Sequence, residues 1–345
     1  MEQNKREQFA AQLKAGAPID QIVGLMTSVD GPLCRPEPNS RFGVKLPRLH
    51  VGSGSRFGKL DWFPVFTEEP VAKRNYVTKI DENLVKVAEH AAATVNSVAI
   101  ENRGNLPLVV FEGTLLEAGW QHRSVIRTTM INANAESELP VVCVEQGRWG
   151  GDGTQKIGRR QAPAKVRAAI RGLDRGNGKV SQNHASQNLV WDEVSKYAHD
   201  HNQHAETGSF LEVRDGFEGK IKKHSRTKVE MPKPIYGMRG VIIAIGGHPV
   251  AVELFDHPET MKERFQSILE AYQVDAENIE YERTPGYRAR AFAKRLESST
   301  LDNPIDVTHF RNSPDELVAS EALVEGDHIY HLAALNVKHQ LVLAA

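Results

Sequence analysis

The sequence predicts an α+β fold whose core is an antiparallel β-sandwich or curled sheet, with helices inserted between the N- and C-terminal strands. Three observations predict it. From Leu108 to Trp149, apolar and β-branched runs are separated by polar turns, the pattern of an antiparallel meander. From Gly240 to Phe255 (GVIIAIGGHPVAVELF), two apolar runs flank Gly246-Gly247-His248-Pro249, which reads as a hairpin of buried strands. After helical patterns in the middle of the chain, strand-like runs return towards its end.

Taken in order, Asn4–Lys14 and Ile19–Met26 read as short helices, and prolines and glycines after Asp30 break regular structure. The Gly52-Ser-Gly-Ser-Arg56 stretch lacks the lysine of a phosphate-binding loop. Leu60–Phe66 is strand-like, and Pro64 within it argues for a sheet edge. Leu84–Glu89 and Val95–Ile100 are further strands, and Asn102–Asn105 turns the chain into the central meander. Arg159–Lys179 carries seven basic residues, with Val166, Ile170 and Leu173 at helical spacing. It predicts an amphipathic basic helix with a solvated face. Gln187–His201 predicts a second helix, and residues 215–234 a surface linker. The hairpin is followed by a helix with Asp256 as N-cap and Pro258 in its first turn. Another helix is expected over 286–297, then strands at Ile305–Phe310, Leu317–Val324, His328–Leu335 and Leu341–Leu343. Residues 1–59 therefore read as an N-terminal extension and 60–345 as one domain. Its parts are a β-rich segment (60–149), a helical insertion (159–235), a hairpin and helix (240–273) and C-terminal strands (305–343).

Composition narrows the function. With 345 residues, 40% apolar and 25% charged, the chain resembles an ordinary globular protein. A net charge of -1 gives no global attraction to nucleic acid or anionic membrane. The two cysteines, Cys34 and Cys143, make no paired motif, and no metal-ligand set is expected. His199, His201 and His204 lack the spacing of a metal motif and suit the negative end of a helix dipole. The polar start and the absence of a long apolar stretch predict a cytoplasmic protein without a membrane span.

The chemistry-bearing residues of the meander fall at strand ends and turns, where a ligand can reach them. Glu112 and Glu145 are the candidate catalytic carboxylates, as acid/base groups or stabilisers of a cationic sugar. Gln121, Arg123, Arg148 and Trp149 are the candidate ligand-binding residues. The arginines suit a pyrophosphate, the indole a nucleobase or nicotinamide ring, and the glutamine a water or phosphate oxygen. The competing expectation is that Glu145–Arg148 and Glu112–Arg123 are buried ion pairs and Trp149 a plug. Cys143, Trp62 and Trp191 read as core residues.

The same residues resemble a known family. EGTLLEAGWQHR followed by PVVCVEQGRW is similar to paired segments of the ARG and Rhodanese-Phosphatase-superfamily-associated protein domain family. The likeness continues through SQNLVWDEV, GVIIAIGGHPVAVELFDHPETM and GDHIYHLAAL, over roughly residues 60–335. Gln121, Arg123, Glu145, Arg148 and Trp149 match the family pattern. Thr114, Trp120 and His122 depart from it, where the family more often has Glu, Lys and Asn. The resemblance implies a place in NAD and ADP-ribose metabolism, often within prokaryotic conflict systems, and names no cofactor. The resulting expectation is a small nucleotide-type ligand, bound or processed at a Glu/Arg/Trp pocket, in a chain compatible with homo-oligomers. Whether the chain is an enzyme or a ligand-sensing or protein-interaction module stays open at this point. Nucleic-acid binding through Arg167 and Arg171 is a third, weaker expectation.

Overall fold

The hairpin expected at Gly240–Phe255 forms, and it lies in the middle of the largest sheet. A computed structural model describes residues 43–90, 95–173, 187–224, 230–312 and 315–343, with the side chains of 218–224 excepted. By its contacts the chain divides between Gly43 and Val44. The helices expected at Asn4–Lys14 and Ile19–Met26 lie outside the described residues.

In chain order the first strands are β1 (Val44–Lys45), β2 (Leu49–Val51), β3 (Ser55–Phe57) and β4 (Leu60–Thr67). The next group is β5 (Val85–Ala88), β6 (Ser97–Asn102), β7 (Leu108–Val110), β8 (Thr114–Ala118), β9 (Arg123–Val125) and β10 (Thr129–Ile131). β11 (Ala135–Cys143) and β12 (Thr154–Gln161) complete it. Three helices follow: α1 (Ala164–Ile170), α2 (Gln187–Asp200) and α3 (Phe210–His224). The last part holds β13 (Gly240–Ile245), β14 (His248–Phe255), α4 (Pro258–Ala276) and α5 (Gly286–Glu297). It ends with β15 (Thr300–Pro304), β16 (His309–Asn312), β17 (Val318–Glu325), β18 (His328–Asn336) and α6 (Gln340–Leu343).

Two curved structures result. A ten-stranded sheet has the order β1-β15-β16-β17-β18-β14-β13-β4-β2, with β3 also on β4. Its terminal strands β1 and β2 are joined by only Leu46-Pro47-Arg48, so the sheet must curl until its ends nearly meet. Side-chain alternation then gives the sheet an inner and an outer face. Phe63, Val65, Ile242, Ala244, Val252, Leu254, Leu332 and Ala334 pack with Ala289, Phe292 and Leu296, so the curl wraps α5. Their neighbours Trp62, Val241, Ile243 and Ala251 face outward onto Met261, Phe265, Ile268 and Leu269 of α4. The second structure is a closed six-stranded barrel, β11-β6-β5-β12-β8-β9. It packs Val87, Val98, Ile100, Leu116, Val125, Leu139 and Val141 together. The helices α1, α2 and α3 cover Leu115, Val142 and Val144 through Val166, Val190, Val194, Phe210 and Leu211.

Several expectations change at this level. Val44–Phe57, expected in an extension, supplies three strands to the large sheet. Pro64 does not mark an edge, because β4 is paired on both sides. Its carbonyl accepts from Gly52 N at 2.9 Å, so its missing N–H falls in the gap between β2 and β3, where no ladder bond is lost. Residues 215–224 are helical in α3 rather than linker, and Leu341–Leu343 belongs to α6 rather than a strand. Asp256 is not the N-cap of α4: His257 is, with its ring accepting from Glu259 N at 3.1 Å. Gly246 and Gly247 turn the hairpin with φ of 58° and 80°, as a type I′-like two-residue loop requires.

Candidate functional site

The rim of the barrel gathers four of the six candidates. At the end of β8, Ala118 and Gly119 both have left-handed backbones, with φ of 69° and 62°. A side chain on Gly119 would collide with Gln155 Nε2, 2.0 Å from the ideal Cβ, so only glycine fits there. This turn aims the two carbonyls at Arg148, whose Nη1 donates to Gly119 O at 2.5 Å and Nη2 to Ala118 O at 3.3 Å. Arg148 also grips Glu145 through Nε (3.0 Å) and Nη2 (2.8 Å), a bidentate charge-assisted pair. Glu145 further accepts from His122 N at 2.7 Å and Thr207 Oγ1 at 2.6 Å, and its side chain is 1% exposed. Burial alone would raise its pKa, but hydrogen bonds from Arg148, Thr207 and His122 bring it below the usual carboxylate range. Gln121 braces the same loop, donating to Glu145 O at 3.0 Å and accepting from Cys143 Sγ at 2.9 Å. Burial pushes the Cys143 thiol up to about 11, so it stays protonated in the core.

Arg123 is attached to this group indirectly. It is buried, pairs twice with Glu89 (3.2 and 2.7 Å) and donates to Val95 O at 2.9 Å. Gln155 Nε2 bridges Glu89 Oε1 (2.7 Å) and Gln121 O (3.0 Å) and so ties Arg123 to the rim. The expected Glu112–Arg123 pair does not form.

Glu112 belongs to a second network, just before β8 begins. It pairs with Arg171 through Nε (2.8 Å) and Nη2 (2.6 Å) and with Arg167 at 3.3 Å. Arg167 also donates to Glu253 and to the Tyr272 hydroxyl, and Glu253 is held by His331 Nε2 at 2.9 Å. All of these charged groups are buried. Burial opposes ionisation here, yet Arg167 and Arg171 hold Glu112 below its ordinary pKa, and Arg167 and His331 do the same for Glu253. The expected basic helix is thereby corrected. Arg159 and Arg160 lie in β12, α1 spans only Ala164–Ile170, and Arg167 and Arg171 point inward to Glu112 rather than to solvent or nucleic acid. Residues 174–179 of that expectation lie outside the described residues.

What solvent reaches at the rim is aromatic. Trp149 is 62% exposed, and its Nε1 donates to Gln146 O at 3.0 Å. Trp191 meets it edge-on, with centroids 6.4 Å apart, so Trp191 is half-buried rather than core, whereas Trp62 is buried as expected. Bonded to the rim through Glu145 is His122, which the sequence reading noted only for its departure from the family pattern. Its Nδ1 is 2.8 Å from Ser209 Oγ and 3.1 Å from Glu145 Oε2, and Nε2 has no hydrogen bond to a described residue. Burial lowers its pKa more than Glu145 raises it, which favours the neutral ring. The missed signal was its place one residue before the buried β9–β11 pairing, directly after Gln121. Among the described residues, no group of three or more His, Cys, Asp and Glu is arranged to hold a metal.

The comparison with known families decides one matter. The family model for the ARG and Rhodanese-Phosphatase-superfamily-associated Protein domain, ARPP-1, matches residues 48–335. The chain belongs to this family. The ARPP-1 match begins at Arg48, so it takes in β2 and β3 as well as the rim and the Glu112 network. No curated protein and no solved structure matches the chain. No described helix of this ARPP-1 protein is long and apolar enough to cross a membrane.

Proposed function

We propose that this ARPP-1 protein recognises a nucleotide-type ligand of NAD or ADP-ribose metabolism at the barrel rim, in an NAD-linked or prokaryotic conflict setting. The observation that carries the reading is the Trp149 indole, exposed yet fixed by its bond to Gln146 and backed by Trp191. A large, rigid aromatic face in water is well suited to stacking a base or nicotinamide ring. His122, bonded to Glu145 at the rim, supplies Nε2 as a group able to accept a ribose or water proton. In this reading Glu145, Arg148 and Gln121 hold the surface in place and do not touch the ligand. The five donor hydrogens of Arg148 are spent on Glu145 and on the carbonyls of 118, 119 and 150. Arg123 is likewise engaged. A pyrophosphate would have to displace these bonds.

Titration of ADP-ribose and of NAD against tryptophan fluorescence tests the proposal. Saturable quenching is expected, and Trp149→Ala should weaken it about 10- to 100-fold, since stacking on one base is worth ~1–3 kcal/mol. No saturable quenching, or an affinity indifferent to Trp149→Ala, sinks it.

The second reading, a sensing module without turnover, is favoured by one feature. Both candidate catalytic carboxylates already accept several donors, which leaves neither poised as a base. His122→Asn separates the two. An enzyme loses turnover of NAD or of an ADP-ribosylated substrate while keeping affinity, whereas a module has no turnover to lose.

A further inference from the structure

At the end of the curled sheet where its two terminal strands come together, a cleft of about 400 Å³ opens. Its position follows from the topology. The link Lys45–Pro47, the ends of β4 and β14, the residue before β13 and the start of β18 all converge there. The volume lies within the ~300–1,000 Å³ typical of small-molecule sites. Part of the wall is apolar, formed by Pro47, Pro70, Leu254 and Ile329. The rest is charged.

Arg239 is the group that sets the character of this cleft. It is 6% exposed and lines the cavity. Its Nη1 donates to Thr67 Oγ1 (2.7 Å) and Glu69 O (3.1 Å), and its Nε to Phe255 O (3.4 Å). Its Nη2 makes no hydrogen bond to a described residue. The nearest carboxylate, Glu69, stands 4.0 Å away and is 58% exposed, free to swing into solvent. A buried guanidinium that lines a cleft, hydrogen-bonded only to neutral oxygens, with Glu69 at the 4.0 Å limit of an ion pair and Asp256 acting without a hydrogen bond to it, is a cation whose charge is met weakly. Burial lowers its pKa, although Glu69 and Asp256 act in the opposite direction. Two more basic groups share the wall: the exposed Lys45, and His328, whose Nε2 is 3.2 Å from Asp256 Oδ2. Asp327, exposed in the turn before β18, and Glu69 oppose them.

We propose that this cleft binds a small molecule with an apolar body and one oxyanion, carboxylate or phosphoryl, whose charge meets Arg239 Nη2 and Lys45. The site is separate from the barrel rim and does not rest on the nucleotide reading. Calorimetric titration of the whole chain with hexanoate and with hexyl phosphate tests it, and the better binder identifies the oxyanion. Saturable binding of one probe at millimolar concentration or tighter is expected. Lys45→Glu, on an exposed residue that leaves the fold intact, should weaken binding at least fivefold. Asp327→Asn should strengthen it, because a repulsive charge leaves the wall, and Arg239→Gln should abolish it. Absence of saturable binding by both probes, or affinities unmoved by both Lys45→Glu and Asp327→Asn, overturns the proposal. The Trp149→Ala variant should bind these probes as wild type does.

Discussion

Glu112 shows how much can depend on one side chain. It pairs with two buried guanidiniums at once, and all three side chains are at most 4% exposed. Glu112→Gln should cost about 3–5 kcal/mol in urea unfolding, because the buried Arg171 would lose its paired carboxylate and Arg167 would keep only Glu253. A cost under about 1 kcal/mol would contradict this account. Asp275 makes a different prediction. Burial pushes its carboxyl up to about 6, although the Tyr197 hydroxyl and the Ala164 amide favour its charged form. The folded pKa lies above the ordinary 3.8, so the native state prefers the protonated acid. Its contribution is complete below about pH 4 and is lost as pH rises towards 6. Relative to Asp275→Asn, the wild type should lose roughly 3 kcal/mol across that window, read from denaturant unfolding at a series of pH values. Sequence marked Glu112 and Glu145 by their places at strand ends. It could not reveal their partners, since Glu112 meets residues 55 and 59 positions later, and such pairings exist only after the sheet has folded.

Among the elements, those that formed as read are the ones whose periodicity and punctuation agree. The β13–β14 hairpin has apolar runs and a Gly-Gly turn, α4 has proline in its first turn and apolar residues at helical spacing, and both stand within a residue or two of expectation. Where the two signals conflicted, tertiary pairing decided. Pro64 looked like an edge but sits in a gap between two short strands, and the arginines of 159–171 looked like a solvated helix but divide between a strand and a short buried helix with its C-cap. The β8–β9 corner is the element most sensitive to a small change. Gly119→Ala would force a Cβ into Gln155, the residue that bridges Glu89 and Gln121. Left-handed strain of about 1–3 kcal/mol adds to the lost bridge. The variant should lower the melting temperature by several degrees and loosen Trp149, visible as a red shift in tryptophan emission.

For the molecule as a whole, the α+β class and the curled sheet were legible, but the division into a closed barrel and a separate sheet was not. Alternation tells which face of a strand is buried; it does not tell which strand lies alongside. The hairpin strands of the large sheet bury both faces, whereas β5 and β6 of the barrel alternate, and neither pattern names a partner strand. The wrapping of α5 by the large sheet gives a test of that architecture. Phe292→Ala, inside the curl, should cost about 3–5 kcal/mol, whereas a change at the exposed Tyr287 of the same helix should cost under about 0.5 kcal/mol.

The short stretch from Val44 to Phe57 occupies both margins of the large sheet, zipping β15 on one side and β4 on the other. A chain cut to begin at residue 60 would leave two rows of backbone donors and acceptors looking for company, and other chains would supply it. Such a truncated protein should scatter light and accumulate as ribbons, while one beginning at residue 43 should remain dispersed. Fourteen residues that bear none of the rim or cleft-lining carboxylates would thus act as the molecule's guard against self-assembly.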